Sequence, residues 1–173
     1  VPASSSTSPP TIDELDAMPG ADAVAALVPL FEGPPRFLAR LAAERPFENW
    51  DELFARAESI ALVMPEDERI ELIDAHPRLG APPATMSSMS FLEQGYDRDQ
   101  AGAIEELDRL NEEYEARFGF RYCVFVAGRP RAALLPELRD RLHAARGVEL
   151  ERAIRDVVAI ARDRHRRLSE GTP

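Results

Sequence analysis

The chain has 173 residues, 45% of them hydrophobic, and a formal charge of −10, which suits one domain with a single core. That charge excludes broad nucleic-acid binding and adsorption to anionic membranes, so an anionic ligand needs a local cationic spot. All 21 basic residues are arginine, which rules out a lysine Schiff base and the lysine of a phosphate-binding loop.

Residues 1–10 are rich in Ser and Pro and are expected to form a disordered tail. A helical domain is expected over 11–169, with a flexible end over 170–173. Thr11-Ile12-Asp13-Glu14 reads as a capping box that opens a first short helix. Helices are expected over 21–31 and 36–44, the second stopped at Pro46. Over 48–64, Trp50, Leu53, Phe54, Ala57, Ile60, Ala61 and Met64 recur at i, i+3, i+4, i+7, the spacing of one buried helix face. Pro65 suits the first turn of a helix over 66–75. That helix should end at His76, because a residue before proline is pushed out of the α region. Residues 99–118 place Ile104, Leu107, Leu110, Tyr114 and Phe118 on one face, with Gly119 as the stop. The run 122–126 is the one convincing extended segment. Helices are expected over 131–144 and, after a break at Gly147, over 149–168. The fold class is therefore all-α, with seven or eight helices and at most one short extended segment.

Three places carry chemistry, each with a structural alternative. His76, in His76-Pro77-Arg78-Leu79-Gly80, is either a helix-ending histidine favoured by the helix dipole or a proton-transfer group. Ser90 and Glu93 form a capping box if the helix starts at Ser90. If it starts at Ser87 or Ser88, Ser90, Glu93 and Gln94 share one face. Arg164 is the one charge on the apolar line Val157, Ile160, Ala161, Arg164, Leu168. Burial of an unpaired guanidinium costs several kcal/mol, roughly, so Arg164 needs an anionic partner, either an acidic side chain or a ligand. Arg162, Asp163, Arg166 and Arg167 are expected on a solvated face, and His143 and His165 alone on helical surfaces. Cys123, the single cysteine, reads as a packed thiol and excludes an internal disulfide. No metal-ligand spacing, nucleophile elbow or dinucleotide fingerprint is present, so metal, nucleophilic and dinucleotide chemistry are not expected. No apolar run reaches the ~18 residues of a membrane span, and no leader is visible, so the expected location is cytoplasmic.

Taken in order, Phe47-Glu48-Asn49-Trp50, His76-Pro77-Arg78-Leu79-Gly80, Ser90-x-x-Glu93-Gln94, Leu110-Asn111-x-x-Tyr114, Phe118-Gly119-Phe120 and a last helix holding Arg164 resemble the 2-oxo-4-hydroxy-4-carboxy-5-ureidoimidazoline (OHCU) decarboxylases of urate breakdown. The resemblance spans about residues 20–168. It implies an all-helical, cofactor-free homodimeric enzyme that forms (S)-allantoin from a small-molecule carboxylate. It also implies that His76 and Glu93 are catalytic, and that Pro77, Ser90, Gln94, Tyr122, Val124 and Arg164 bind substrate, Tyr122 and Val124 through backbone groups. The chain departs from the family pattern over 81–89, at Gly95-Tyr96-Asp97, and at Arg121-Tyr122, where Pro then Phe is the family's habit. A paralogue for another carboxylated ring and a non-catalytic helical module are the alternatives.

Overall fold

The structure is a computed structural model that describes residues 9–81 and 101–171, leaving aside the side chains of 101–103. Helix starts follow local sequence. Thr11 accepts from the Glu14 amide and Glu14 reaches back to the Thr11 amide, the expected capping box of α1 (Ile12–Ala17). Asn49 caps α4 (Trp50–Val63) by accepting from the Glu52 amide at 2.9 Å, satisfying one of the amides a helix start leaves unpaired. Between them lie α2 (Gly20–Phe31) and α3 (Pro35–Ala43). After them come α5 (Glu66–Asp74), α6 (Ala101–Phe118), α7 (Arg131–Arg141) and α8 (Arg146–Ser169).

Helix α8 is the spine. It packs against α2, α4 and α5, while α6 pairs with α7. Its buried line contains Ala153, Val157, Ile160, Ala161 and Arg164, as the periodicity predicted, and also Leu150, Ile154 and Val158. The face of α4 is likewise as predicted, with Leu53, Phe54, Ala57 and Ala61 buried and Trp50 and Ile60 packed against the core.

Three local expectations change. Gly147 does not break the chain: it lies in the first turn of α8. Glycine costs least there, because first-turn amides lack intrahelical partners anyway, and the neighbouring Arg146 pins the turn through the Phe118 carbonyl at 2.8 Å and Glu66 at 2.8 Å. Helix α7 ends at Arg141, and the amides of His143 and Ala144 bond three residues back in tighter turns. Segment 121–126 is extended, but no strand exists among the described residues. Guanidinium groups stand where a neighbouring strand would. Arg152 donates to the Cys123 carbonyl at 3.0 Å, and Arg129 donates to those of Phe125 and Val126 at 2.8 and 3.0 Å.

Candidate active site

The site begins where α5 stops. The His76 amide bonds the Ile73 carbonyl, and Pro77 then carries the chain away from the helix. The loop after it is stapled to α6. Asn111, fully buried, donates to the Leu79 carbonyl at 2.8 Å, and Arg78 pairs with Glu115 at 3.0 Å. Gly80 has φ +88, which favours glycine, and a Cβ there would sit tightly, 3.1 Å from Leu107. Arg121, on the extended segment, grips the same corner. Its side chain donates to the carbonyls of Asp74 and His76 at 2.8 and 3.0 Å, and its amide donates to the Asp74 carboxylate at 2.9 Å. Arg121 thus locks the extended segment to the backbone of His76.

The His76 side chain is 4% exposed. Its Nδ1 lies 3.3 Å from the Leu72 carbonyl one turn back. That contact assigns the proton to Nδ1, since a carbonyl can only accept. Nε2 is left with a lone pair, buried, with no hydrogen-bond partner among the described residues. Burial first, and the Arg164 charge second, push the imidazole down to about 4. His76 is therefore a neutral base at pH 7, not an imidazolium.

Arg164 is fully buried on α8. Nη2 donates to Glu32 at 2.9 Å, and Nη1 donates to the carbonyls of Pro29 and Leu30 at 3.2 and 3.3 Å. Arg164 has an acidic partner from the protein, and it still lines a pocket. Glu32 follows the last residue of α2 with φ +60, the left-handed turn common at a helix end. This geometry sets its carboxylate beside the last carbonyls of α2, and together they form an anionic cradle for the guanidinium.

A pocket lies between α5, the extended segment and α8. His76, Pro77, Tyr122, Val124 and Arg164 all line it. Ser90, Glu93 and Gln94 lie outside the described residues, as do the segment 82–89 and Gly95-Tyr96-Asp97. Along the extended segment the backbone groups divide. The Cys123 and Phe125 carbonyls are taken by arginines and the Phe125 amide by Asp156, whereas the Val124 amide and carbonyl make no hydrogen bond among the described residues. The Tyr122 side chain turns from the pocket toward a second buried cluster. Its ring stacks edge-on with Tyr114 at 5.1 Å and lies under Arg152. Burial pushes its hydroxyl well above the usual range.

Sequence reasoning missed part of the wall. Asp163 and Arg167 do not belong to a solvated face: both line the pocket beside Ile160 and Arg164. The signal was available, because 160, 163, 164 and 167 fall at i, i+3, i+4, i+7. A stripe with three charges reads as surface unless the void beside it is known. Cys123 is buried as expected, yet it also lines the pocket. His165 is not alone on a surface. It stacks on Trp50 at 4.1 Å and contacts Phe54 at 5.9 Å. His143 is exposed.

A neutral buried imidazole, a buried guanidinium and the Val124 backbone groups, which have no partner among the described residues, surround one small cavity, an arrangement suited to a small polar molecule. Residues 16–166 match the OHCU decarboxylase family, and the chain belongs to it. It is 32% identical over 157 residues to the uric acid degradation bifunctional protein PucL of Bacillus subtilis, covering 89% of this chain and 32% of that protein. It is 27% identical over 154 residues to a 2-oxo-4-hydroxy-4-carboxy-5-ureidoimidazoline decarboxylase of Halalkalicoccus jeotgali, covering 87% of each. The chain thus spans about a third of the bifunctional relative and most of the single-function one. The fold superposes on a crystal structure of OHCU decarboxylase in the presence of (S)-allantoin with a TM-score of 0.67 and 26% identity, over 80% of this chain and 93% of that one. It also superposes on (S)-allantoin synthase with a TM-score of 0.68 and 22% identity, a likeness of fold.

Proposed function

We propose that this chain decarboxylates OHCU to (S)-allantoin, without a cofactor, in urate breakdown. The carrying observation is the family membership together with the lone pair of His76 Nε2 beside Arg164 in one cavity. When the bond to carbon dioxide breaks, its electron pair passes into the double bond of the imidazoline ring and leaves an enol. The ring nitrogen that received the electrons takes a proton, the neighbouring ring carbon takes another, and the hydroxyl loses one to become a ring carbonyl. The net reaction consumes one proton and releases one carbon dioxide. Because the ring itself accepts the electrons, neither pyridoxal nor thiamine is required.

His76, neutral, accepts the hydrogen bond of the substrate hydroxyl at Nε2 and draws off its proton as the enol collapses. Glu93 is the proposed donor to one face of the enol, which makes the product a single enantiomer. Arg164, already balanced by Glu32, holds a carbonyl edge of the substrate. Val124 offers its amide and carbonyl to the ring or ureido group, Pro77 shapes the wall, and Ser90 and Gln94 bind the ureido end. Tyr122 contributes through its backbone, since its side chain faces the second cluster. The proposed assembly is a homodimer in the cytoplasm, and light scattering on the purified protein tests its mass.

The deciding assay generates the substrate fresh, by oxidising urate and hydrolysing the first product, and follows circular dichroism. Unaided decay gives racemic allantoin. The expected result is a faster and larger optical signal with protein than without it. Equal traces would sink the proposal, and turnover confined to a related ring carboxylate would point to a paralogue. Full silence would point to a binding module.

A further inference from the structure

A pocket for a carboxylated ligand needs a cation with donors to spare, and Arg164 is a poor choice. Its guanidinium is matched by the Glu32 carboxylate and by two carbonyls at the end of α2. One turn further along α8 stands Arg167, whose side chain is 25% exposed and lines the same pocket. Asp163 holds its Nε at 2.6 Å and holds Arg166 with the other carboxylate oxygen, also at 2.6 Å. Arg167 makes no other hydrogen bond among the described residues, so both terminal nitrogens keep their protons for a ligand.

We propose that Arg167, oriented by Asp163, is a second ligand-binding cation of this pocket and selects ligands that carry a carboxylate. This rests on the decarboxylase reading for the identity of the natural carboxylate. A cation beside that group stabilises the ground state more than the transition state, because the departing carbon dioxide is neutral. Its half-open position limits that cost by keeping the ion pair partly solvated. Arg167 therefore acts on capture of the substrate and not on the bond-breaking step.

The test compares the wild type with Arg167→Gln, Arg167→Lys and Asp163→Asn, each checked for retained helicity. Two readouts are used: turnover of fresh OHCU, and calorimetric binding of hydantoin-5-acetate and neutral allantoin as probes. Arg167→Gln is expected to raise KM about tenfold, with kcat unchanged or slightly higher. It should weaken hydantoin-5-acetate by about the same factor and leave allantoin within about twofold. Arg167→Lys should keep much of the carboxylate preference, and Asp163→Asn should fall between. A drop in kcat at unchanged KM, or equal weakening of both probes, overturns the proposal. If the wild type does not turn over OHCU, the reaction is wrong and Arg167 is judged by the probes alone. Failure of the wild type to prefer the carboxylated probe, or to bind either, overturns it as well.

Discussion

Helix α8 carries two arginines into the protein, twelve residues apart, and their surroundings differ in kind. Arg152 is surrounded by protein partners. Nε donates to Glu149 at 2.9 Å, Nη1 to Asp156 at 2.7 Å and to the Cys123 carbonyl at 3.0 Å, and Nη2 to the Tyr114 hydroxyl at 3.4 Å. Tyr114 in turn donates to Glu149 at 2.9 Å. Arg152 keeps 12% of its side chain exposed, whereas Arg164 is fully buried, and its cradle borders a cavity whose other wall holds a histidine nitrogen without a described partner. Both guanidiniums are paired, so burial of charge does not by itself mark a site. What separates them is the void and, beside it, an acceptor with no partner among the described residues. The two regions are also joined, because Arg152 and Asp156 hold backbone groups at 123 and 125 and so leave Val124, between them, turned to the pocket.

The largest expected effect breaks the first region. Arg152→Leu leaves buried Glu149 with only the Tyr114 hydroxyl and a distant Arg141, removes the guanidinium from half-buried Asp156, and should cost about 3–5 kcal/mol of stability in urea unfolding. Loss of activity should follow loss of fold.

Acid provides the next contrast. His76 titrates at about 4 in the folded protein, against 6.5 for an ordinary histidine. The unfolded chain therefore binds a proton more readily. The stability this group contributes is complete above about pH 6.5 and is lost as pH falls toward 4, by about 3 kcal/mol in all. Urea unfolding across that window should show the slope, and His76→Gln should flatten it.

The comparison is sharpened by activity. His76→Ala should keep the fold and lower kcat at least ~10²-fold in the dichroism assay, whereas a purely structural histidine would give up stability with no change in turnover per folded molecule. Glu93→Gln is expected to lose a similar factor. Glu32→Gln removes the carboxylate that supports the His76 proton, so the acid limb of kcat/KM should move to lower pH by a fraction of a unit. The smallest effect is Tyr114→Phe, about 1–2 kcal/mol of stability, with KM nearly unchanged.

Most of the helical framework was legible in the chain because helix signals are local. The stripe over 48–64, the capping box at Thr11 and the Gly119 stop each depend on neighbours a few residues away. The misreadings at Gly147 and at the end of α7 occur where a distant side chain or a tighter turn takes over the last hydrogen bonds. The five site positions found together around the pocket rested on a different warrant, an ordered family resemblance, since each residue also had a structural explanation.

The sequence by itself determined the all-helical class, the faces that meet in the core, and the need of Arg164 for an anion, because periodicity and the cost of burying charge are properties of the chain. Only the tertiary structure decided that Glu32, 132 residues away, supplies that anion. It likewise decided that His76 is neutral with its outer nitrogen unpaired among the described residues, and that Asp163 and Arg167 face a cavity. Those facts depend on which helices meet and on the space left between them, and neither is written in local spacing.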